Sequence, residues 1–244
     1  MRGPGIWLVH VRSTLLPSLT LLLTSCVAHG EANEAGCSVC AELHLTSDYR
    51  RYGPSSSAGE PAVQGTLYLQ HADGWYAGVF ASTVDFEDGS TRLEFDTYAG
   101  LSVLVGAMEY NAELTYISYD EDVPGPTYDF WQGKLLARQY FGESWLAASV
   151  AYTPRGAFAS GRQAEYLLEG NHALPRSIRL TAGVGFGAHA DLTDLWYWSV
   201  GVEKDWRAWT FALSWAGTDL SEDECGGTEH CAPALIGGIT LRLH

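Results

Sequence analysis

Hydrophobic and polar residues alternate with a period of two along most of the chain from residue 42 to the C-terminus. Residues 178–187 show the pattern well, because Ile178, Leu180 and Val184 alternate with Arg179 and Thr181. A period of two is that of a β-strand whose two faces meet different surroundings. The pattern therefore predicts an all-β protein in which each strand has one apolar face and one polar face.

Twelve such segments follow one another and are separated by turn residues. We place them near 42–50, 62–72, 75–86, 91–103, 107–119, 127–140, 145–153, 163–173, 177–188, 195–204, 209–219 and 234–243. A soluble β-sandwich and a transmembrane β-barrel both have this periodicity, so the connections must distinguish them. Bacterial barrels have short turns at one end and longer loops at the other. Ten of the eleven connections follow this rule, and the exception is the short connection 87–90.

Aromatic residues gather near the predicted strand ends, as in the interfacial girdles of membrane barrels. One set comprises Trp75, Tyr76, Tyr140, Trp145, Trp206 and Trp209, and the other comprises Phe86, Tyr119, Tyr128, Tyr152, Trp196 and Trp198. In a sandwich the same side chains would fill the core, but charged residues in mid-strand oppose that alternative. We predict a transmembrane antiparallel up-and-down β-barrel of about 12 strands, closed because an unpaired strand edge is too costly in lipid.

The N-terminal residues are typical of an export signal. Arg2 and Arg12 supply positive charge and residues 13–25 form an apolar run, so residues 1–30 are predicted to be a signal peptide. Either Cys26 is a lipidated lipobox cysteine, or cleavage follows the small residues of Ala28-His29-Gly30. Residues 31–41 are then a short periplasmic segment and residues 42–244 the barrel. No later stretch approaches the roughly 18 apolar residues of a transmembrane helix.

Composition and cysteine content narrow the function further. The chain has 14 Lys plus Arg against 29 Asp plus Glu, a formal net charge of -15, which argues against binding to nucleic acid. In an oxidising compartment the four cysteines after Cys26 suggest two structural disulfides, Cys37 with Cys40 and Cys225 with Cys231. A redox or metal role for the Cys37-x-x-Cys40 motif is the alternative, but no thioredoxin-like pattern surrounds it.

Charged residues on the polar face of the strands would line the lumen and influence which ions pass. The predicted lumen acids are Glu94, Asp96, Glu109, Glu113, Glu165, Glu169 and Glu203, and the predicted bases are Arg92, Lys134, Arg138, Arg179 and Arg242. Seven acids against five bases predict a weakly cation-preferring pore. Alternatively, these charges pair with one another and close a narrow barrel.

The predicted long loops are strongly acidic. The acidic clusters are Asp85, Glu87 and Asp88; Asp120, Glu121 and Asp122; and Glu222, Asp223, Glu224 and Glu229. They either form a solvated charged rim, which we favour, or hold Ca²⁺ or Mg²⁺ at the lipopolysaccharide surface. The expected partners are outer-membrane lipid, lipopolysaccharide and small solutes or ions. We predict no cofactor and no bound metal.

Catalysis is a second class of function, because a Ser-His-acid constellation can be built on a barrel wall. The histidine candidates are His44, His71, His172 and His189, and His44 lies close to Ser47 and Asp48 in sequence. However, His44 and Ser47 fall on opposite strand faces, and no Gly-x-Ser-x-Gly elbow occurs. We therefore expect no enzyme. A closed structural or adhesive barrel without conductance is the third class.

Several motifs of the chain from about residue 44 onward resemble those of a proteobacterial outer-membrane family, the TorF-family or Gcw_chp-type porins. These motifs are Ser47-Asp48-Tyr49-Arg50, Pro61-Ala62-Val63-Gln64-Gly65, the run from Gly74 to Phe86, the run from Leu93 to Gly100, and the run from Ser214 to Asp219. The resemblance implies an outer-membrane barrel and a pore, and no particular substrate. The chain departs from the family at Arg51-Tyr52-Gly53-Pro54, where an aromatic residue, Arg and Gly are usual, so the loop at this point differs.

Overall fold

The protein forms a closed antiparallel β-barrel of twelve strands in this computed structural model, which describes residues 37–121, 127–157 and 160–243. The strands are β1 Cys37–Thr46, β2 Ala62–His71, β3 Trp75–Thr83, β4 Leu93–Val105, β5 Met108–Tyr119, β6 Phe130–Phe141, β7 Ser144–Thr153, β8 Gln163–Leu174, β9 Ile178–His189, β10 Leu195–Trp206, β11 Trp209–Thr218 and β12 Ala234–Leu243. The predicted fold class is confirmed. No described segment forms a helix long and apolar enough to cross a membrane.

Each strand pairs with its neighbours in sequence, and β1 closes the barrel by pairing with both β2 and β12. At the closure, the register runs from Ala41 opposite Leu243 to Thr46 opposite Gly238. Ser47 extends this seam, because its backbone amide donates to the carbonyl of Gly237 at 2.9 Å. No strand edge of the described barrel is left open, as a lipid environment demands.

The connections separate the barrel into two ends. At the turn end, the five connections are 72–74, 106–107, 142–143, 175–177 and 207–208, none longer than three residues. At the loop end, the connections are 47–61, 84–92, 120–129, 154–162, 190–194 and 219–233, none shorter than five residues. All eleven connections therefore follow the alternation of short turns and long loops.

The largest differences from the predicted boundaries are at β1 and at the connection between β3 and β4. β1 begins at Cys37, inside the segment predicted to be periplasmic, and ends at Thr46 instead of residue 50. It ends there because the Thr46 hydroxyl donates to the carbonyl of Asp48 at 2.8 Å and turns the chain. The connection between β3 and β4 spans residues 84–92, so it is a long loop and not the short connection that was predicted. Within this loop, Asp88 accepts hydrogen bonds from the backbone amides of Ser90 and Thr91.

The outer surface of the barrel is apolar and the inside is polar. Leu43, Leu135 and Val200 are about half exposed on the outside, whereas Glu94 and Asp96 on the inside are fully buried. Trp75, Trp206 and Trp209 point outward at the turn end, and Tyr152 and Trp196 point outward at the loop end. The girdle prediction is wrong for six residues that are buried or partly buried on the inner side of the barrel: Tyr76, Tyr140 and Trp145 toward the turn end, and Phe86, Tyr119 and Tyr128 at the loop end.

Glycines on the lumen face make room for large side chains. An ideal Cβ on Gly185 of β9 would lie 2.1 Å from the ring of Tyr197 on β10. Tyr197 is buried and packs with Leu167 and Leu195 in a small apolar cluster inside the barrel. Gly185 of β9 therefore makes room for the Tyr197 ring from the neighbouring strand.

Candidate functional site: the lumen and loop 47–61

The structure places eleven of the twelve predicted lumen charges inside the barrel. Nine have residue exposures of 8% or less: Glu94, Asp96, Glu109, Lys134, Arg138, Glu165, Glu169, Arg179 and Glu203. Glu113 and Arg242 are partly buried on the same inner face. Each of these residues lies on the inner face of its strand, and its neighbours in sequence point to the outer face.

Arg92 is the exception, and its predicted position in the lumen is wrong. It lies just before β4, which begins at Leu93, so the strand alternation does not govern its side chain. The side chain is 54% exposed and forms an ion pair with Asp85 in loop 84–92. Its backbone amide donates to Asp120 Oδ1 at 2.8 Å, which ties two neighbouring loops together at the rim.

At the turn end, Arg179 and Arg242 form ion pairs with three carboxylates on two strands, Glu42 on β1 and Glu203 and Asp205 on β10. Arg179 pairs with Glu203 at 2.9 Å and also with Asp205, while Arg242 reaches Glu42 at 3.3 Å and Asp205 at 3.9 Å. This chain of ion pairs links β9, β10, β12 and β1 across the closing seam. Glu42 and Asp205 were not among the predicted lumen residues. Asp205 could have been found, since it follows Glu203 by two residues and so shares its face.

A second group of charged residues lies at the same end on β5 and β6. Arg138 donates to Glu109 Oε2 at 2.9 Å, and the Tyr140 hydroxyl donates to the same oxygen at 2.6 Å. The Arg138 guanidinium also lies 4.8 Å from the ring centroid of Trp145. These contacts hold the guanidinium against one wall of the lumen.

Loop 47–61 folds into the barrel at the loop end and contacts three walls. On one side, the Tyr49 hydroxyl and the Arg51 guanidinium donate to Glu94 Oε1 on β4 at 2.8 and 3.0 Å. On the other side, the Tyr52 hydroxyl donates to Gln132 Oε1 on β6 at 3.0 Å, and its ring lies 6.0 Å from that of Tyr197 on β10. The tip of this loop therefore crosses the lumen.

The loop is held in this shape by its own contacts. Arg50 and Ser55 form an isolated antiparallel bridge, and both side chains bind the carboxylate of Asp48 at 2.6 Å. Gly53 adopts a φ of 109°, a conformation open to glycine, and a Cβ there would lie 2.5 Å from Thr218. The sequence of this loop departs from the family pattern at residues 51–54, but no local pattern indicates that the loop enters the lumen.

Above the loop tip, a cavity of about 850 Å³ opens at the loop end, and we call it the vestibule. Its floor includes Arg51, Tyr52, Gln132 and Glu165, and its sides include residues of loops 154–162, 190–194 and 219–233. Glu165 Oε1 lies 3.0 Å from His189 Nε2. The other oxygen, Glu165 Oε2, is buried and has no hydrogen-bond partner among the described residues.

The acidic clusters of the loops act as hydrogen-bond acceptors. Asp88 accepts from the Thr91 hydroxyl and from the backbone amides of Ser90 and Thr91, and these bonds lower its pKa to about 2. Glu224 accepts from the backbone amide and the hydroxyl of Ser221. Within the described part of the chain, no three His, Cys, Asp or Glu residues are grouped as metal ligands would be. Asp122 lies outside the described residues.

One predicted disulfide is present and the other is wrong. Cys225 and Cys231 are bonded within loop 219–233. Cys37 and Cys40 both lie on β1, three residues apart. Because an odd separation puts two side chains on opposite faces of an extended strand, they do not bond to each other. Residues 1–36, including Cys26 and the predicted signal peptide, lie outside the described residues.

The histidine candidates are spread around the barrel. His44 Nδ1 contacts Thr240 Oγ1 at 2.8 Å, His71 lies beside Asp73, and His172 Nδ1 is 3.4 Å from Ser144 Oγ at the turn end. That serine oxygen accepts a hydrogen bond from the backbone amide of Ala173. Among the described contacts, no histidine has both a serine hydroxyl and a carboxylate partner, so the structure brings together no triad.

Comparison with known proteins places this barrel in a family. Residues 31–235 match a family described as "Bacterial protein of unknown function (Gcw_chp)". The chain belongs to this family. No curated protein sequence matches the chain.

Solved structures with a similar fold include porins. The KdgM porin aligns with a TM-score of 0.56 and 8% sequence identity, over 85% of this chain and 100% of that one. A second structure, "KdgM porin in complex with disordered oligogalacturonate", aligns with a TM-score of 0.55 and 8% identity over the same shares. At this identity the likeness concerns the fold, which is an outer-membrane-type barrel.

Proposed function

We propose that this protein is an outer-membrane channel for the passive passage of small solutes or ions, narrowed at its loop end by loop 47–61. The observation that carries the proposal is a closed barrel with an apolar outside and a charged inside, a fold that it shares with the KdgM porin. The long loops then face the outside of a Gram-negative cell and the short turns face the periplasm.

The charge of the lumen supports a weak preference for cations. Among the described inner residues, nine are acidic: Glu42, Glu94, Asp96, Glu109, Glu113, Glu165, Glu169, Glu203 and Asp205. Five are basic: Arg51, Lys134, Arg138, Arg179 and Arg242. An excess of carboxylates in a narrow passage attracts cations and repels anions.

Planar-bilayer recording tests both the channel and the loop. We expect purified protein to conduct, with a reversal potential in a KCl gradient that indicates more K⁺ than Cl⁻ passing. Arg51→Ala removes the cation that holds the loop tip to Glu94, so conductance rises by roughly a factor of two and cation preference increases. Arg92→Ala is the matched control, because Arg92 is exposed at the rim, and both quantities should stay unchanged.

A closed barrel with a structural or adhesive role is the second candidate. It is favoured by the burial of Glu94, Asp96 and Arg138 inside the barrel, where paired side chains fill much of the space. In that case neither the wild type nor Arg51→Ala would conduct, although both would fold and insert. Anion selectivity of a conducting channel would contradict the charge argument and leave the channel itself intact.

A further inference from the structure

The vestibule combines a size and a lining that suit a small organic solute. At about 850 Å³ it falls within the range of ligand pockets, which hold roughly 300 to 1,000 Å³. Its floor is built on strands β6 and β8, through Gln132 and Glu165, and on the tip of loop 47–61. Groups on strands and on a well-bonded loop are held in place before a solute arrives.

One side of the vestibule is aromatic. Phe86, Tyr119 and Phe130 come from three successive connections or strand ends and line the same cavity. The rings of Phe86 and Tyr119 pack edge to face at 5.2 Å, and the Arg51 guanidinium lies 5.8 Å from the centroid of Phe130. These rings offer large rigid apolar surfaces to a solute.

Two buried polar atoms of the floor lack a partner. Glu165 Oε2 is an acceptor and Arg51 Nε is a donor, and neither has a hydrogen-bond partner among the described residues. Both side chains are more than nine-tenths buried. A buried polar atom without a hydrogen-bond partner is energetically unfavourable. A ligand or water that donates to Glu165 Oε2 and accepts from Arg51 Nε would remove this cost.

The cationic groups of the floor already have carboxylate partners inside the protein. Arg51 lies 3.0 Å from Glu94 and 3.7 Å from Asp96. His189 faces oxygen acceptors with both ring nitrogens, Glu165 Oε1 at 3.0 Å and the carbonyl of Thr193 at 3.1 Å. Since a histidine that donates from both nitrogens is cationic, His189 balances Glu165. An anionic solute would therefore find no uncompensated cation on the floor, and Asp191 and Glu224 of the same lining would repel it.

From these features we propose that the vestibule is a binding site for a neutral mono- or disaccharide. One sugar hydroxyl donates to Glu165 Oε2, another accepts from the N–H of Arg51 Nε, and the apolar face of the sugar ring packs against Phe130. A sugar has this combination of paired hydroxyls and C–H faces without net charge. The inference rests on the proposed channel function, for which such a sugar would be the solute that enters.

Isothermal titration calorimetry tests binding independently of conduction. The full-length protein is folded in lauryldimethylamine oxide, a detergent without a sugar headgroup, and titrated with maltose as the neutral probe. Glucuronate serves as the anionic probe. We expect saturable binding of maltose, and binding of glucuronate about tenfold weaker. Equal or tighter binding of glucuronate would overturn the assignment to a neutral sugar.

Variants locate the site. Phe130→Ala and Glu165→Gln should each weaken maltose binding about tenfold, because one removes the stacking surface and the other an acceptor oxygen. Phe95→Ala is the matched control: Phe95 lies on β4 with its ring exposed on the outside of the barrel, and binding should be unchanged. Heat-modified migration on a gel checks that each variant is folded.

The outcomes separate this proposal from the channel proposal. Conductance without maltose binding would overturn the sugar site and retain the channel. Maltose binding that Phe130→Ala does not change, or that Phe95→Ala weakens as much, would place the sugar elsewhere and also overturn the site. If the barrel binds maltose but never conducts, the proposed sugar site is supported and the proposed channel function is wrong.

Discussion

At the scale of single residues, the lumen face depends on the matching of small and large side chains across neighbouring strands. Gly185 has no side chain where the Tyr197 ring lies, and Tyr197 in turn packs against Tyr52 of loop 47–61. Gly133 lies on the outside of β6, and a Cβ there would meet no atom within 4 Å. A side chain at Gly185 would therefore clash with the Tyr197 ring, whereas a side chain at Gly133 would not.

Replacing Gly185 with alanine should destabilise the barrel. The new methyl group would force the buried Tyr197 ring to move, and such overpacking costs about 1–3 kcal/mol. Gly133→Ala is the control and should change stability by less than about 0.5 kcal/mol. Urea-dependent unfolding of protein refolded into phospholipid vesicles measures both. Equal stabilities of the two variants would mean that the ring does not occupy the space beside Gly185.

At the scale of elements, ion pairs between strands support the seam at which the barrel closes. β1 and β12 are far apart in sequence, and their pairing is backed by the contact of Arg242 with Glu42. Arg242 also donates to Thr210 on β11 at 2.9 Å. These groups are largely buried, and such charges are costly when one partner is removed.

Arg242→Ala should weaken this seam, because it removes the ion pairs of Arg242 with Glu42 and Asp205 and its hydrogen bond to Thr210. We expect a loss of about 1–3 kcal/mol in the free energy of unfolding, the scale for hydrogen bonds to charged groups. Arg92→Ala removes an exposed ion pair and should cost at most about 1 kcal/mol. The same unfolding assay compares the two. A smaller effect for Arg242 than for Arg92 would show that the seam is held by backbone hydrogen bonds alone.

At the scale of the whole molecule, the apolar outside defines where lipid contacts the barrel. Val200 lies in the middle of β10 and is 53% exposed, while Val105 ends β4 at the turn end and is 62% exposed. Both are apolar and both face outward. Their different heights along the barrel imply different depths in a membrane.

The free energy cost of an arginine on the outer surface should therefore depend on its depth in the membrane. Val200→Arg places a charge near the bilayer midplane and should cost about 2–4 kcal/mol, whereas Val105→Arg at the interface should cost about 0–1 kcal/mol. Folding equilibria in vesicles give both values. If Val105→Arg proved the more damaging, the membrane would have to contact a different band of the barrel.

The twelve strands, their two faces, the lengths of ten of the eleven connections and eleven of the charges inside the barrel were predictable from local sequence patterns. This was possible because lipid outside and water inside impose a period of two on every strand, a pattern that each strand carries locally. Three features became visible in the folded barrel alone: loop 47–61 crosses the lumen, Arg92 lies at the rim, and Cys37 and Cys40 do not bond to each other. These features depend on contacts between residues distant in the chain, such as Tyr52 with Tyr197, and no local periodicity encodes such contacts.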